Sequence, residues 1–388
     1  MLSVETYKRA IHEESLSGWF FFNIFHRDRI SDRLLDITPN QMNTRPWFYF
    51  LPAEGEPTAV CHSIEPSILK HLPGKKKFYV SRDELSLILS SIPKGRVAAQ
   101  FSAEIPALSC LDHGTAVFLQ SLGFELVSSQ SLIQRSVGVL RQNEITLHEE
   151  AAVQLYGIVD IIWKKIERHF AEEAEIWEGD VQEWITSEFI ARGLETQHPP
   201  IVASGCNSSN PHYSTEGRGK KLERGEVLQL DLFARRSVSE GIYADISWVG
   251  FMDFDVPDRI EEIFRILCKA RDEAVNFIKE RLKCGSEVSG REVDERVRSF
   301  LGSRGFSENI RHRTGHAIDR EVHGLGVNLD SVEFPDNRKI LEGSCFSVEP
   351  GLYFDNFGLR TEIDVFIKEN TPVISGSCPQ KKILVFSR

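Results

Sequence analysis

No apolar run in this 388-residue chain approaches the ~18 residues that a membrane-spanning helix needs, which argues against a helical membrane protein. The most apolar early stretch, Gly18 to Phe25 (GWFFFNIF), is too short and is interrupted by Asn23. A secretory leader is also missing: MLSVETYKRAIHEES places acids where a leader has its cationic and apolar regions, so the start reads as mature cytoplasmic protein. Positive charge is in deficit. Lys and Arg number 46 against 57 Asp and Glu, and a net charge of −11 disfavours a nucleic-acid binder, which needs a basic face toward phosphates. Paired cysteines are lacking too. The seven thiols (Cys61, Cys110, Cys206, Cys268, Cys284, Cys345 and Cys378) are odd in number, scattered and never in a CxxC pair. They are expected to be reduced, and none stands in a setting that marks a nucleophile. Repeats at solenoid periods and low-complexity tracts are absent as well.

What is present is ordinary globular material, 41% hydrophobic and 27% charged, in a chain long enough for two well-buried domains. Residues 1–140 read as a mixed α/β unit. Gly18–Ile24, Pro46–Leu51 and Val97–Phe101 have the pattern of buried strands, with a turn at Ala53–Pro57. Helices are expected near Glu84–Ile92 and His113–Gly123, the second capped by its glycine. This half carries no cluster of potential ligands or nucleophiles. At Arg141 the texture changes, and a long amphipathic helix is predicted from Asn143 to about Glu173, with Ile145, Val153, Ile158, Ile162 and Ile166 among its apolar positions. A second helix follows at Asp180–Arg192, stopped by Gly193. The two domains are therefore placed at 1–140 and 141–388.

The second half then becomes strand-rich at two places that resemble each other. Residues 226–235 (EVLQLDLFAR) and 242–250 (IYADISWVG) form one candidate hairpin. Residues 345–354 (CFSVEPGLYF) and 359–368 (LRTEIDVFIK) form another, joined by Asp355-Asn356-Phe357-Gly358. Each strand carries an acid inside an apolar run: Asp231, Asp245, Glu349 and Glu362. The separations within the pairs are 14 and 13 residues (245 − 231 and 362 − 349), which suggests a loosely duplicated design. One such acid on a half-exposed strand would merely face water. Four of them call for compensation, because an ionised carboxylate in an apolar strand is costly without a cation or dense hydrogen bonding. Two divalent ions would neutralise four carboxylates. Three of the twelve histidines lie between 312 and 323 (HRTGHAIDREVH), with His312 and His316 on one face of either a helix or a strand. Gly315 lets the backbone pass closely beside His316. Oxygen-rich sites with one imidazole suit manganese, zinc, cobalt or iron. Two such ions can share a hydroxide, lower its pKa and polarise the carbonyl it attacks, which is hydrolytic chemistry.

The order Asp, Asp, His, Glu, Glu, with the strings LQLDLF, YADISW, HRTGH, SVEPGLY and LRTEID, resembles the pita-bread metallopeptidases over residues 144 to 388. These include methionine aminopeptidase, aminopeptidase P and prolidase, with creatinase as a metal-free relative. The first half resembles the N-terminal domain of the prolidase, aminopeptidase P and creatinase branch. The resemblance implies an α/β (α+β) protein whose C-terminal domain is a curved, mostly antiparallel sheet covered by helices. It implies that Asp231 is a terminal ligand of one metal, that Asp245 and Glu362 bridge two metals, and that His316 and Glu349 complete the second. Glu349 also shuttles a proton by this likeness. His312 and His323 match the histidines that flank the ligand histidine and steady the tetrahedral intermediate or orient the substrate. His212 (NPHYSTE) matches an upstream active-site histidine, and Arg360 an arginine that orients carboxylates; a solvated ion pair of Arg360 with Asp364 is the simpler alternative. The implied cofactors are two divalent ions, manganese first, with zinc or cobalt as alternatives. The implied substrate is a peptide cleaved near its N-terminus at an Xaa-Pro bond, and the implied assembly a homodimer in the cytoplasm.

Three departures bear on the substrate pocket. Arg313 follows His312 where prolidase-like loops commonly have glycine. Asp319 stands where they often have glycine, and Gly324 follows His323 where they often have an acid. A longer turn is also expected across Ala234–Gly241. Two alternatives remain: a creatinase-like amidinohydrolase that needs no metal, and a pita-bread binding module without activity. Metal content and chelator sensitivity discriminate among them.

Overall fold

The computed structural model describes residues 4–376 and 379–388, so Cys378 lies outside the described residues. The chain forms two compact units, Met1–Val137 and Gly138–Arg388.

The first unit is built on β1 (Gly18–Asn23), β2 (Trp47–Pro52), β3 (Thr58–His62), β4 (Lys75–Tyr79), β5 (Arg96–Ala99) and β6 (Glu125–Ser128), in the sheet order β4-β3-β2-β1-β5-β6. β1 and β2 are buried at every position, which only a central pair covered on both faces permits. The alternation of side chains along β1 divides its aromatics between the faces. Trp19 meets Tyr7 of α1 (Val4–Glu13) edge-on, while Phe20 packs on Phe50 and Phe124. The second of these faces also receives Leu85 and Leu89 of α3 (Arg82–Ser90) and Leu119 of α4 (His113–Ser121). Helices α2 (Arg29–Leu35) and α5 (Gln130–Val137) complete the unit. Asp28 caps α2, accepting from the amide and the hydroxyl of Ser31 at 2.9 and 2.6 Å. Burial nevertheless pushes the Asp28 carboxyl up to about 6, the Ser31 bonds offsetting only part of the effect.

The second unit opens with the long helix α6 (Gln142–Ala171) and α7 (Glu178–Ala191). Strands β7 (Leu194–Glu195) and β8 (Ile201–Ser204) both pair with one edge of β9 (Val227–Arg236), and β10 (Tyr243–Phe251) pairs with the other. Then come α8 (Asp258–Lys283) and α9 (Gly290–Gly302), followed by β11 (Cys345–Val348), β12 (Gly351–Tyr353), β13 (Gly358–Arg360), β14 (Ile363–Lys368) and β15 (Thr371–Ile374). Pairing among these named strands is antiparallel throughout, as expected for this half. One helix pair covers each half of the strand system. α6 and α7 bury Leu155, Ile162, Val181 and Phe189 against Leu230, Leu232 and Ile246. α8 and α9 bury Phe264, Leu267, Val293 and Val297 against Phe346, Val348, Ile363 and Val365. The longer β9–β10 turn expected across Ala234–Gly241 is only partly a turn. Ala234 to Arg236 remain in the strand, the ladder reaching Tyr243 opposite Arg235, and residues 237–242 make the connection. Each of the six cysteines among the described residues is free. No helix among the described residues is long and apolar enough to cross a membrane.

α6 sits on β10 because Gly250 has no side chain: a Cβ there would stand 2.1 Å from a ring carbon of the buried Trp163. Gly250→Ala is expected to force that ring off its rotamer and lower stability by about 1–3 kcal/mol, read by urea denaturation. Asp28 supplies a pH test. Its folded pKa, about 6, exceeds the ordinary 3.8, so between these values the folded chain holds a proton that the unfolded chain has released. Its contribution therefore falls as pH rises through that window. Asp28→Asn keeps a cap and removes the charge, so its stability relative to the native sequence should rise between pH 4 and pH 7, by at most about 3 kcal/mol. An unchanged difference across that range would contradict the assignment.

Candidate metal centre

Two hairpins bring the acids together. In the β9–β10 ladder Asp231 pairs with Ser247, and Asp245 lies two residues from Ser247, so all three share one sheet face. The second hairpin differs from the continuous strands expected from sequence. Its ladder runs from Cys345 opposite Phe366 to Val348 opposite Ile363, and resumes with Gly351 opposite Arg360 in the same register. Glu349 and Glu362 fall in the break, facing each other where the two strands release their pairing. Pro350 cannot donate to a ladder, which accounts for the interruption on one side. By the alternation of the ladder the Glu362 amide faces away from Glu349 and bonds the Ser247 carbonyl at 3.3 Å, tying one hairpin to the other.

His316 arrives from the loop between α9 and β11. Its segment lies beside β11: the Ser347 amide donates to the His316 carbonyl at 2.9 Å, and the His316 amide donates to Ser347 Oγ at 3.0 Å. That approach needs Gly315, since a Cβ there would lie 1.9 Å from the Ser347 carbonyl oxygen. The ring places Nδ1 3.2 Å from the Ala317 carbonyl. Donation there leaves Nε2 with its lone pair toward the acids, 3.6 Å from Asp245 Oδ2 and 3.5 Å from Glu349 Oε1. Asp245, His316 and Glu362 each offer a ligand atom, all within 4.8 Å of one another.

The remaining two acids are tied to Arg360, the arginine singled out in LRTEID. Its Nη2 donates to Asp231 Oδ2 at 2.6 Å, its Nε to Ser247 Oγ at 2.9 Å, and its Nη1 to the Pro211 carbonyl and the Tyr353 hydroxyl. Glu349 Oε2 lies 3.9 Å from Nε. The alternative of a solvated ion pair with Asp364 is not what forms. Arg360 is buried and bound to Asp231, while Asp364 is buried elsewhere and accepts the Asp245 amide at 2.7 Å. Ser247 relays the arrangement, donating to Glu362 Oε2 at 2.8 Å.

The electrostatics of so many acids are unfavourable by themselves. Burial, then Glu362, Asp231, Asp364 and Glu349, raises the Asp245 carboxyl far above the ordinary carboxylate range. Burial, then Glu349 and Asp231, does the same to Glu362. Glu349 is pushed up to about 7 by burial, with Arg360 and Arg313 pulling the other way. One guanidinium does not neutralise this set. Asp231 Oδ1 and Asp245 Oδ1 are buried and have no hydrogen-bond partner among the described residues. Orphaned carboxylate oxygens beside a lone-pair imidazole nitrogen make a hard, oxygen-rich donor set of the kind that takes divalent cations. The residues present therefore fit a metal.

The three flanking histidines are placed differently from one another. His312 lies 2.7 Å from the Arg313 carbonyl through Nδ1 and 2.8 Å from the Tyr353 hydroxyl through Nε2. With Nδ1 donating, Tyr353 donates to Nε2 and receives Arg360 Nη1, so both ring nitrogens are engaged within the protein. His323 stacks edge-on against His316 at 4.3 Å between ring centroids and keeps an exposed face. Desolvation, then Arg313, His212 and His198, disfavours its charged form. His212 is exposed on the segment between β8 and β9, and its amide donates to Asn210 Oδ1 at 3.1 Å. Its neighbour Pro211 carries the carbonyl that Arg360 bonds.

Several contributors gave little sign of themselves in the sequence. Ser247 could have been found from its position two residues after Asp245, on the same face. Tyr353 stands inside SVEPGLY but was not distinguished from the apolar residues around it. Glu178 at the start of α7, fully buried, accepts from the Ser204 amide and hydroxyl, Asn207 Nδ2, the Tyr213 hydroxyl and the Lys220 amide, and so holds the segment that bears His212. Asp294 of α9 does the same for the HRTGH loop through the amide and hydroxyl of Thr314 and of Ser331.

Comparison with known proteins identifies the family of the chain. Residues 151–369 match the model of metallopeptidase family M24. The chain is similar to a protein named probable dipeptidase PepE from Mycobacterium tuberculosis, 26% identical over 346 residues, 86% of this chain and 84% of that one. It is also similar to the Xaa-Pro dipeptidase of Lactobacillus delbrueckii subsp. lactis, 28% identical over 194 residues, 49% of this chain and 48% of that one. Among solved structures, dipeptidase PepE from Mycobacterium ulcerans superposes with a TM-score of 0.74 at 21% identity, covering 99% of this chain and 97% of its own. The α+β, pita-bread architecture is shared along the whole length. With the family model spanning more than half of the chain, this protein belongs to the M24 metallopeptidases, hydrolases that bind divalent metal and act on peptides.

Proposed function

We propose that the protein is a dinuclear peptidase cleaving peptides near the N-terminus, at Xaa-Pro bonds, with Asp231, Asp245, His316, Glu349 and Glu362 as the ligands of two divalent ions. The observation that carries this is the pair of buried, unpartnered carboxylate oxygens on Asp231 and Asp245 within a set of four acids and one imidazole. Two ions held there would supply Lewis acidity to the scissile carbonyl and make water a nucleophile near neutral pH. Asp231, Asp245, Glu349 and Glu362 would hold the ions through hard carboxylate oxygens, and His316 would add the single imidazole nitrogen. Manganese is the first choice of metal, with cobalt or zinc as alternatives. The names of the curated relatives support a dipeptidase or aminopeptidase P type of substrate with proline after the cleaved bond. Residues 1–140 are assigned as a creatinase/prolidase-type domain, and the working form as a cytoplasmic homodimer.

The remaining side chains have tasks that follow from their contacts. Glu349, held by Ser347 Oγ at 3.3 Å, takes the proton of the attacking water and returns it to the leaving amine. Its neighbour Arg360 fixes the free oxygen of Asp231 in direction by holding the other. Tyr353 links that guanidinium to His312, so His312 orients the arrangement from behind. His323, next to His316 with one face open, and His212 on its exposed segment are the imidazoles assigned to the substrate side, where a donor stabilises the developing oxyanion.

The decisive assay is a panel of Xaa-Pro dipeptides, longer Xaa-Pro peptides and proline-free controls with added manganese, cobalt or zinc. Activity confined to proline peptides and abolished by chelator is expected. A chelator-resistant activity would favour a creatinase-like hydrolase, and a metal-free chain cleaving nothing a binding module. Glu349→Ala and Asp245→Ala should each lower kcat by about 10³-fold or more while circular dichroism stays native, because each removes a ligand. Near-normal turnover in either would remove the ligand assignment. His323→Ala should lower kcat by about 10²-fold with metal content unchanged. If metal and turnover fall together, His323 is a ligand instead.

A further inference from the structure

β10 is paired with β9 along one edge, and its other edge is closed largely by side chains. The Tyr243 carbonyl lies 2.6 Å from His148 Nδ1 of α6. The Asp245 amide donates to Asp364 Oδ2 of β14 at 2.7 Å. Gln380 accepts the Val249 amide at 3.0 Å and donates to its carbonyl at 2.7 Å. Buried backbone groups must find partners, and here side chains supply what a neighbouring strand ordinarily would. One of these groups is the main chain of a proposed metal ligand, Asp245.

Asp364 stands directly opposite Ser347 in the β11–β14 ladder, so the two side chains share a face. Ser347 Oγ accepts the His316 amide at 3.0 Å. A single cross-strand pair therefore offers two oxygens to the amides of two proposed ligands, His316 and Asp245, which arrive from different segments. Asp364 also lies two residues after Glu362, the spacing of one strand face. Three of the five proposed ligands thus have their main chain on, or bonded to, this short stretch of β11 and β14.

Stability alone does not account for a carboxylate at this point. Asp364 is 1% exposed, and its charge adds to the repulsion on Asp245 and Glu362. The His148 imidazole stands 3.9 Å from Asp364 Oδ2, beyond hydrogen-bond reach, and burial keeps it neutral, its pKa lowered to about 4. Both its nitrogens are engaged, with the Tyr243 carbonyl and, at 2.7 Å, the Ser375 hydroxyl. An apolar side chain of similar volume would be cheaper in such surroundings. What it would lack is an acceptor for the Asp245 amide. We propose that Asp364 is a positioning residue that fixes the Asp245 main chain, as Ser347 fixes that of His316, so that the donor atoms are set before an ion arrives. This rests on the ligand reading above. Without that acceptor the metal-free chain relaxes its Asp245 segment toward another partner, and metal binding must pull it back.

The test titrates manganese(II) calorimetrically into the full-length protein after chelator treatment, alongside the melting temperature of each metal-free form. Three substitutions separate position from charge. Asp364→Asn keeps an acceptor oxygen at the same reach and removes the charge. Asp364→Glu keeps the charge and displaces it by one methylene, and Asp364→Leu removes both. Asp364→Asn should bind manganese within about threefold of the native sequence. Asp364→Glu and Asp364→Leu should bind it about tenfold or more weakly, the size of a buried amide left without its partner. Native affinity in Asp364→Glu with a tenfold loss in Asp364→Asn would assign the effect to charge and overturn the inference. Native affinity in all three, with melting temperature alone reduced, would make Asp364 merely part of the scaffold and overturn it as well. Should Asp364→Leu fail to fold by circular dichroism, the contrast between Asn and Glu decides. A native protein that takes up no divalent ion would remove the ligand reading and this inference together, an outcome distinct from loss of affinity in the variants alone.

Discussion

The second unit is organised around mutual repulsion among buried carboxylates. Asp231, Asp245, Glu349, Glu362 and Asp364 are all buried, and those whose charge states are perturbed are pushed toward the neutral form by burial and by one another. Such a cluster is tolerated in a folded chain only where cations or protons complete it. Arg360 supplies one positive charge and directs it to Asp231 and Glu349, and Asp245 and Glu362 have no guanidinium or ammonium partner among the described residues. The alternation that turns the Ser347 amide to the His316 carbonyl also turns the Glu349 amide to the Thr314 carbonyl, and the Glu362 amide bonds the Ser247 carbonyl, so each acid is fixed against a different neighbour.

This explains which parts of the site could be read from sequence. Acids inside apolar strands are conspicuous because nothing in a hydrophobic core excuses them, and their paired spacings pointed to two hairpins. The glycine before His316 was legible for the same kind of reason, and the 1.9 Å approach to Ser347 supplies its cause. Residues that hold the donors were not legible. Ser247, Tyr353 and Thr314 are common residue types whose meaning depends on which strand or helix lies opposite. Glu178 and Asp294 begin or ride helices, where an acid is usual and explains itself locally. Only the fold shows that each is buried and gathers amides and hydroxyls from a distant segment. In the first unit the strands were plain, because a solid run such as WFFF in β1 has few other places to go.

Glu178 and Asp294 amount to one device used twice. Each is an acid on a helix of the second unit, fully buried, accepting from backbone amides and hydroxyls of a loop that carries site histidines. Glu178 is satisfied by its amide and hydroxyl donors, since each charge-assisted bond is stronger than a neutral one, and Asp294 has in addition the Arg298 guanidinium, Nε lying 2.7 Å from Oδ2. The loops therefore borrow rigidity from α7 and α9. Irregular segments can then present His212 and His316 reproducibly without being strands themselves.

The departures from the prolidase-like pattern form a coherent group once the loop after His316 is seen in three dimensions. Asp319 stands where glycine is usual and Gly324 where an acid is usual, and the two changes compensate. A Cβ on Gly324 would lie 2.9 Å from the Asp319 carboxyl, so the missing side chain at one position makes room for the carboxylate of the other. That carboxylate braces the loop, Oδ1 accepting from the Glu321 amide at 2.8 Å and Oδ2 from the Leu325 amide at 2.9 Å. Both changes lie outside the five residues proposed as ligands, the division expected where chemistry resides in a site grafted on a fold.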